Sequence, residues 1–249
     1  MKTSLTLLAR IALVIGPLSF LSPARAELPA EVTDVLDRYL EASGGRERIS
    51  ELESTRLVGT ISIPAMGVSG KSTFIEVYPD KMYSKQELPG MGVMLQVCDG
   101  DTGWAQDPMQ GYRPLSEAEI ISMKQSDGLR DLADFGDKYD QGRIDGEVEV
   151  NGEPALKLVL SNKVTGREET HYYGVESGLL LKKETVTDMG QMGEVPSTLV
   201  FLSYRDQDGF TFPDKMEVRS AMMSIEMTFS KFEIDPEIDP SIFEPPVAE

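Results

Sequence analysis

Apolar and polar residues alternate with period two along most of this chain. Leu57, Ile61 and Ile63 share one side of a run whose other side carries Arg56, Thr60 and Ser62. Leu156, Leu158 and Leu160 alternate with Lys157 and Ser161. Met216, Val218 and Met222 alternate with Lys215, Glu217 and Arg219, and Ile225, Met227 and Phe229 with Glu226, Thr228 and Ser230. Period two sends successive side chains to opposite faces of a strand, one toward a core and one toward water. Asn151-Gly152, Glu176-Ser177-Gly178 and Asp206-Gln207-Asp208-Gly209 supply turns between the runs. The spacing predicts roughly ten strands in a meander.

Helical period is rarer. Val32, Val35, Leu36, Tyr39 and Leu40 recur at 3.6-residue spacing up to a stop at Gly44-Gly45, and residues 46–52 read as a short continuation. Ser116-Glu117-Ala118-Glu119 is a capping box that opens a second helix. Its apolar side is Ile120, Ile121 and Met123, with Gly128 as a break before Leu129, Leu132 and Phe135. Residues 235–249 are Pro-rich and read as an extended tail. No linker or internal repeat divides the chain, so one domain is expected over residues 27–249.

A sheet buries its apolar face only against a second layer. With so few helices, the economical arrangement is a mainly β (α+β) fold: an open, strongly curved antiparallel half-barrel with an α-helical lid over its mouth. That arrangement leaves an apolar cavity between sheet and helices.

The first 26 residues read as a cleaved signal peptide. Lys2 and Arg10 give a positive start, residues 11–21 an apolar stretch, and Ala24-Arg25-Ala26 a small-x-small cleavage site. The 249-residue chain holds 24 basic and 42 acidic residues. Removing Lys2, Arg10 and Arg25 leaves 21 basic residues against 42 acidic, a net charge of −21 on the exported form. Such a charge repels the phosphate backbone and excludes nucleic acid as a partner. Polybasic attachment to anionic lipid is excluded with it. The expectation is an acidic protein, soluble in the periplasm.

Catalytic signals are weak throughout. The only histidine, His171, lies in the strand-like run Glu168-Glu169-Thr170-His171-Tyr172-Tyr173, with no nucleophile elbow elsewhere, and reads as a surface or half-buried strand residue. Cys98, the one cysteine, ends an apolar run and reads as a small buried hydrophobe. Metal sites built from His and Cys are excluded by count. Ala65-Met66-Gly67-Val68-Ser69-Gly70-Lys71-Ser72 approaches a phosphate-binding loop, but a β-rich run follows it instead of a helix, so it reads as a hairpin loop. Asp99-Gly100-Asp101 begins like a calcium loop, yet its closing position is Gln110. The Asp206-Asp208 cluster fails the same test, and both read as tight turns. No catalysis is expected.

Methionine is the unusual component: 13 in the chain, 12 after the initiator. Thioethers suit Cu(I), and Met189 and Met192 have loop spacing for it, but no dense Met/His tract is present. As a set the methionines fit an adaptable apolar cavity instead. The candidate ligand-binding residues are Met94, Trp104, Met109, Ile120, Met123, Met216, Met222, Met227 and Phe229, with no metal and no cofactor.

Several segments in order carry a family pattern. They are Tyr39-Leu40-Glu41-Ala42-Ser43-Gly44-Gly45, Pro89-Gly90-Met91-Gly92, Asp99-Gly100 through Trp104 to Asp107-Pro108-Met109, and Asn151-Gly152 with the run at residues 157–160. Ser177-Gly178-Leu179-Leu180, Tyr204-Arg205-Asp206 with Asp208-Gly209-Phe210 and Pro213, and Ile242-Phe243-Glu244-Pro245 complete it. Together they resemble the LolA/LolB-like superfamily, in its outer-membrane lipoprotein-sorting branch. The resemblance implies an open antiparallel β-barrel with a helical lid, and a cavity that receives the acyl chains of lipoproteins or another lipid. The chain departs from the family's receptor member in having no lipobox cysteine after the signal, which favours a soluble carrier over an anchored one. Related folds also serve as envelope stress-sensing modules, so an interaction module meeting an envelope membrane protein is the alternative reading.

Overall fold

The computed structural model of the protein describes residues 28–125, 129, 130, 133, 135–188, 193–221 and 223–246. The expected signal segment, the Gly128 break, Met189, Met192 and Met222 lie outside them. Thirteen strands form one sheet. They are β1 (Ser54–Ile63), β2 (Val68–Val77), β3 (Lys81–Leu88), β4 (Gly92–Asp99), β5 (Thr102–Asp107) and β6 (Gly111–Pro114), then β7 (Tyr139–Val150), β8 (Glu153–Asn162), β9 (Arg167–Gly174), β10 (Leu180–Asp188), β11 (Glu194–Gln207), β12 (Phe210–Ser220) and β13 (Ser224–Ile234). The order is β6-β5-β4-β3-β2-β1-β13-β12-β11-β10-β9-β8-β7, two meanders joined where β13 pairs with β1. The count exceeds the ten expected because β3 and β6 show no apolar alternation: every β3 residue but Leu88 is half-buried.

Bulges bend the sheet into a trough. The ladders shift register at Val58/Gly59, Leu180/Lys182, Phe201/Ser203 and Ile144/Glu147, and each extra residue adds local twist and bend. Gly59 is required at the first, since a Cβ there would lie 2.0 Å from the Thr228 carbonyl oxygen. The turns fall where expected. Asn151 (φ 53°) with Gly152 (φ 85°), and Asp208 (φ 51°) with Gly209 (φ 77°), have the positive φ of two-residue hairpin turns. The phosphate-loop lookalike is the β1–β2 hairpin, with Val68 paired to Ile63 and strand, not helix, after Lys71-Ser72.

Among the described residues four α-helices serve the trough: α1 (Ala30–Ser43), α2 (Arg46–Ser50), α3 (Glu117–Lys124) and α4 (Phe135–Lys138). The stripe Val32, Val35, Leu36, Tyr39 and Leu40 of α1 packs on Tyr173, Leu180, Phe201, Phe210 and Phe212 of the sheet and forms the main core. Burying that stripe supplies roughly 1.5–3 kcal/mol per large side chain. No helix among the described residues is long and apolar enough to cross a membrane.

The C-terminal segment, read from its prolines as an extended tail, is tied to the sheet. Asp235 Oδ1 accepts from the Glu53 and Ser54 amides at 2.8 and 2.9 Å. A 3₁₀ turn, Pro240–Phe243, then sets Phe243 on Val97 and Trp104, with Ile238 and Ile242 beside them. The prolines exclude regular structure, and the three apolar residues between them still need cover.

Candidate binding cavity

The lid helix α3 is fixed at its N-terminus by charge and capping. Ser116 Oγ accepts from the Glu119 amide, and Glu119 accepts from the Ser116 amide at 2.9 Å, so the expected capping box is formed. Arg113 of β6 places both terminal nitrogens on the Glu119 carboxylate, at 2.7 and 3.0 Å. The Arg113 bonds come first among the causes that hold the Glu119 carboxyl down at about 2; the Ser116 bonds help and burial opposes. Ile120 then roots the helix on Cys98, Ala105 and Leu115. Cys98 is a free, buried thiol whose pKa burial raises, a core residue as expected.

Beyond that root, the inner side of α3 roofs a cavity of about 590 Å³ with Ala118, Ile121, Ser122 and Met123. The volume lies within the range of small-molecule sites. Its wall is a cross-strand row: Phe201 lies opposite Met216, and Met216 opposite Met227, on β11, β12 and β13. Phe74 of β2 and Phe229 of β13 meet edge to face at 5.8 Å across β1, and Leu57 and Leu199 also line the space.

One end of the cavity is polar, and this end is the part that sequence reasoning missed. Glu169, His171 and Tyr173 share the inner face of β9, and His171 pairs across to Lys183 of β10. His171 is fully buried, not at the surface: Nε2 lies 3.1 Å from Glu169 Oε2 and Nδ1 3.0 Å from the Tyr173 hydroxyl. Glu169 also meets Lys183 Nζ at 2.9 Å, the Tyr139 hydroxyl at 2.8 Å and the Asn162 amide at 2.9 Å. Burial would raise the Glu169 carboxyl, but the His171 hydrogen bond and the Lys183 charge outweigh it and hold the group well below the carboxylate range. Glu169 is therefore an acceptor here and holds no proton to give. The network ties into the lid, because Asn162 donates to the Gln125 side chain at 2.9 Å and Lys138 Nζ to the Gln125 carbonyl at 3.0 Å. Glu169, Lys183 and Gln125 all line the cavity. The signal for them was the same period-two register that the aliphatic strands show, applied to a run with polar residues at its inner positions.

The expected site residues separate into groups. Met123, Met216, Met227 and Phe229 come together on the cavity lining. Ile120 faces the sheet, and its neighbour Ile121 takes the cavity side, because the Arg113–Glu119 fork sets the rotation of a helix of only eight residues. Met94 packs beside the cavity with Ile61, Ile63, Leu88 and Met227. Trp104 lies on the opposite sheet face from Ala105, and its indole N–H donates to the Phe243 carbonyl at 3.2 Å. Met109 is 95% exposed on the β5–β6 turn, where the Asp107 carboxylate holds its amide.

Three solved structures share this architecture. A DUF1329 family protein from Desulfovibrio piger matches with a TM-score of 0.54 at 16% identity, over 86% of this chain and 97% of that one. An outer membrane lipoprotein-sorting protein domain from Vibrio parahaemolyticus matches at 0.53 and 15%, over 84% and 97%. A LolA superfamily protein from Nitrosomonas europaea matches at 0.53 and 13%, over 86% and 97%. No family model matches the chain, and no curated protein does. What the three structures share with it is the LolA-like fold, an open antiparallel half-barrel under a helical lid.

Proposed function

We propose that the protein is a periplasmic carrier that holds acyl chains, of lipoproteins or of another lipid, in the cavity under α3. The observation that carries this reading is the composition of the wall: Phe201, Met216, Met227, Phe74 and Phe229 surround a space of about 590 Å³ that no side chain fills. Apolar surface left beside such a space is stabilised by an apolar occupant. Methionine side chains re-pack around chains of differing shape. The signal-like N-terminus supports export, and the LolA-like fold supports a binding rather than a chemical role.

A blocking variant tests it. Ser122 is half-buried and lines the roof, so Ser122→Trp fills the space from a surface element. Uptake of a fluorescent fatty-acyl probe is expected to vanish while thermal unfolding stays near the wild type. Undiminished uptake in the folded variant refutes the cavity as the site. Native mass spectrometry of protein taken from its own periplasm gives the second arm: a lipid adduct supports the carrier, and an empty chain supports the interaction or stress-sensing module.

A further inference from the structure

The connections at the two ends of the sheet differ in chemistry. Ladder registers place the turns after β1, β3, β5, β8 and β12 at one end, and those after β2, β4, β7, β9 and β11 at the other. At the second end the turns carry Asp80, Asp101, Glu176 and Asp208. At the first end the connecting residues hold no carboxylate, and three successive hairpin tips repeat one pattern: Pro64-Ala65-Met66-Gly67, Pro89-Gly90-Met91-Gly92 and Pro108-Met109-Gln110-Gly111. Each Pro restricts entry to the tip, and each closing Gly stands at positive φ, 63°, 98° and 71°. The methionine is thereby presented outward at the first and third tips, while Met91 is half-buried at the second. Met66 is 56% exposed and Met109 95%, and Val93 and Tyr112 stand half-exposed one residue inside neighbouring strands.

These tips form a row. Hairpins in one meander repeat every two strands, about 10 Å, so three tips span roughly 20 Å along the rim. The row is continuous with the cavity. Met91 packs in one cluster with Met94 and Met227, and Met227 lines the cavity wall. Val164, on the β8–β9 connection at the same end, is half-exposed and also lines the cavity.

We propose that this rim docks on the surface of a lipid bilayer, with Met66 and Met109 entering the boundary between headgroups and acyl chains and the half-buried Met91 linking them to the cavity. This use of the rim rests on the carrier reading, in which the cavity exchanges acyl chains with that membrane. A bilayer fits better than a folded protein for two reasons. Flexible uncharged side chains on separate tips offer no fixed complementary surface, whereas a fluid interface accepts wedges at any spacing. In a chain of net charge −18 the tip residues themselves carry no carboxylate. The Asp107 carboxylate at the base of the third tip is occupied by the Met109 and Gln110 amides, so little charge at the tips resists entry into lipid. Docking is hydrophobic and not electrostatic.

Flotation with vesicles tests this, using the chain from residue 27 onward, which holds every described element and omits the apolar N-terminal stretch. Wild-type protein is expected to float with phosphatidylcholine–phosphatidylethanolamine vesicles. Met66→Ser with Met109→Ser should weaken binding on the order of a hundredfold, roughly tenfold for each side chain. Both positions are exposed, so folding is unaffected. Leu202→Ser, 41% exposed away from the tips, should leave flotation unchanged. Adding anionic lipid should weaken binding at low salt, and salt should restore it, the reverse of a basic patch. Absence of wild-type flotation overturns the proposal, and so does a double variant that floats like wild type. The two readings fail separately: Ser122→Trp should float normally without taking up probe, and the double variant should take up probe in solution without floating.

Discussion

The concave face of one sheet is treated in two ways. Where Tyr173, Leu180, Phe210 and Phe212 face inward it is sealed by α1, fourteen residues long, whose Val32, Leu36 and Leu40 are at most 1% exposed. Along a band from β3 through β1 and β13 to β9 it is roofed by α3, eight residues long, whose inner positions include Ala118 and Ser122. The long helix has the area and bulk to fill the trough. The short one spans it without filling it, and is held by an ion pair and a cap where α1 is held by packing. Filled and open cores thus arise from one sheet through the size of the inward side chains on the covering helix.

The contrast predicts unequal sensitivity. Leu36→Ala in α1 should lower stability by about 2–5 kcal/mol, since a close-packed site leaves a cavity when truncated; denaturant unfolding measures it. Met227→Ala on the open side should lose only about 1–2 kcal/mol, because its neighbours already face a void, while affinity for an acyl probe falls. Equal losses at both positions would erase the distinction between the halves.

Acid should act on the roof before the sealed half. The folded-state pKa of Glu119 is about 2, below its ordinary 4.5. The stability this shift provides is therefore present above pH 4.5 and lost as pH falls toward 2, about 1–2 kcal/mol after allowance for solvent screening. Amide protection factors, corrected for the intrinsic exchange rate at each pH, should fall in α3 between pH 6 and pH 3 and not in α1. Arg113→Ala should abolish that difference.

The smallest effect concerns Trp104. Its indole meets the C-terminal segment and not the cavity, so Phe243→Ala should shift its emission to longer wavelength by a few nanometres while probe binding is kept. An emission change on lipid titration in the wild type, absent from Phe243→Ala, would instead couple the cavity to that segment.

Local signals placed most of the framework. The 3.6 period ended at Gly44, the capping box began at Ser116, and the Asn-Gly and Asp-Gly turns fell between strands, because each is settled by contacts within a few residues. The same signals placed Met216 and Met227 on one face, since register fixes the face of every side chain in a strand. The run Glu169–Tyr173 obeys that register too, but polar residues at inward positions disguise it.

Other features belong to tertiary structure alone. Whether a buried carboxylate is tolerated at Glu169 depends on Lys183 and His171 arriving from across the ladder, and no spacing along the chain reveals that pairing. The rotation of α3, which sends Ile121 and not Ile120 to the cavity, is set by an arginine on β6. Met109 carries the same chemistry as Met227 and ends up in the opposite surroundings, exposed on a tip where the other lines a cavity. The sequence by itself determined strands, caps, turns and the faces that side chains take. Which apolar faces were filled, left open or turned outward was decided only when distant elements met, because packing depends on the sum of volumes brought together and not on any one segment.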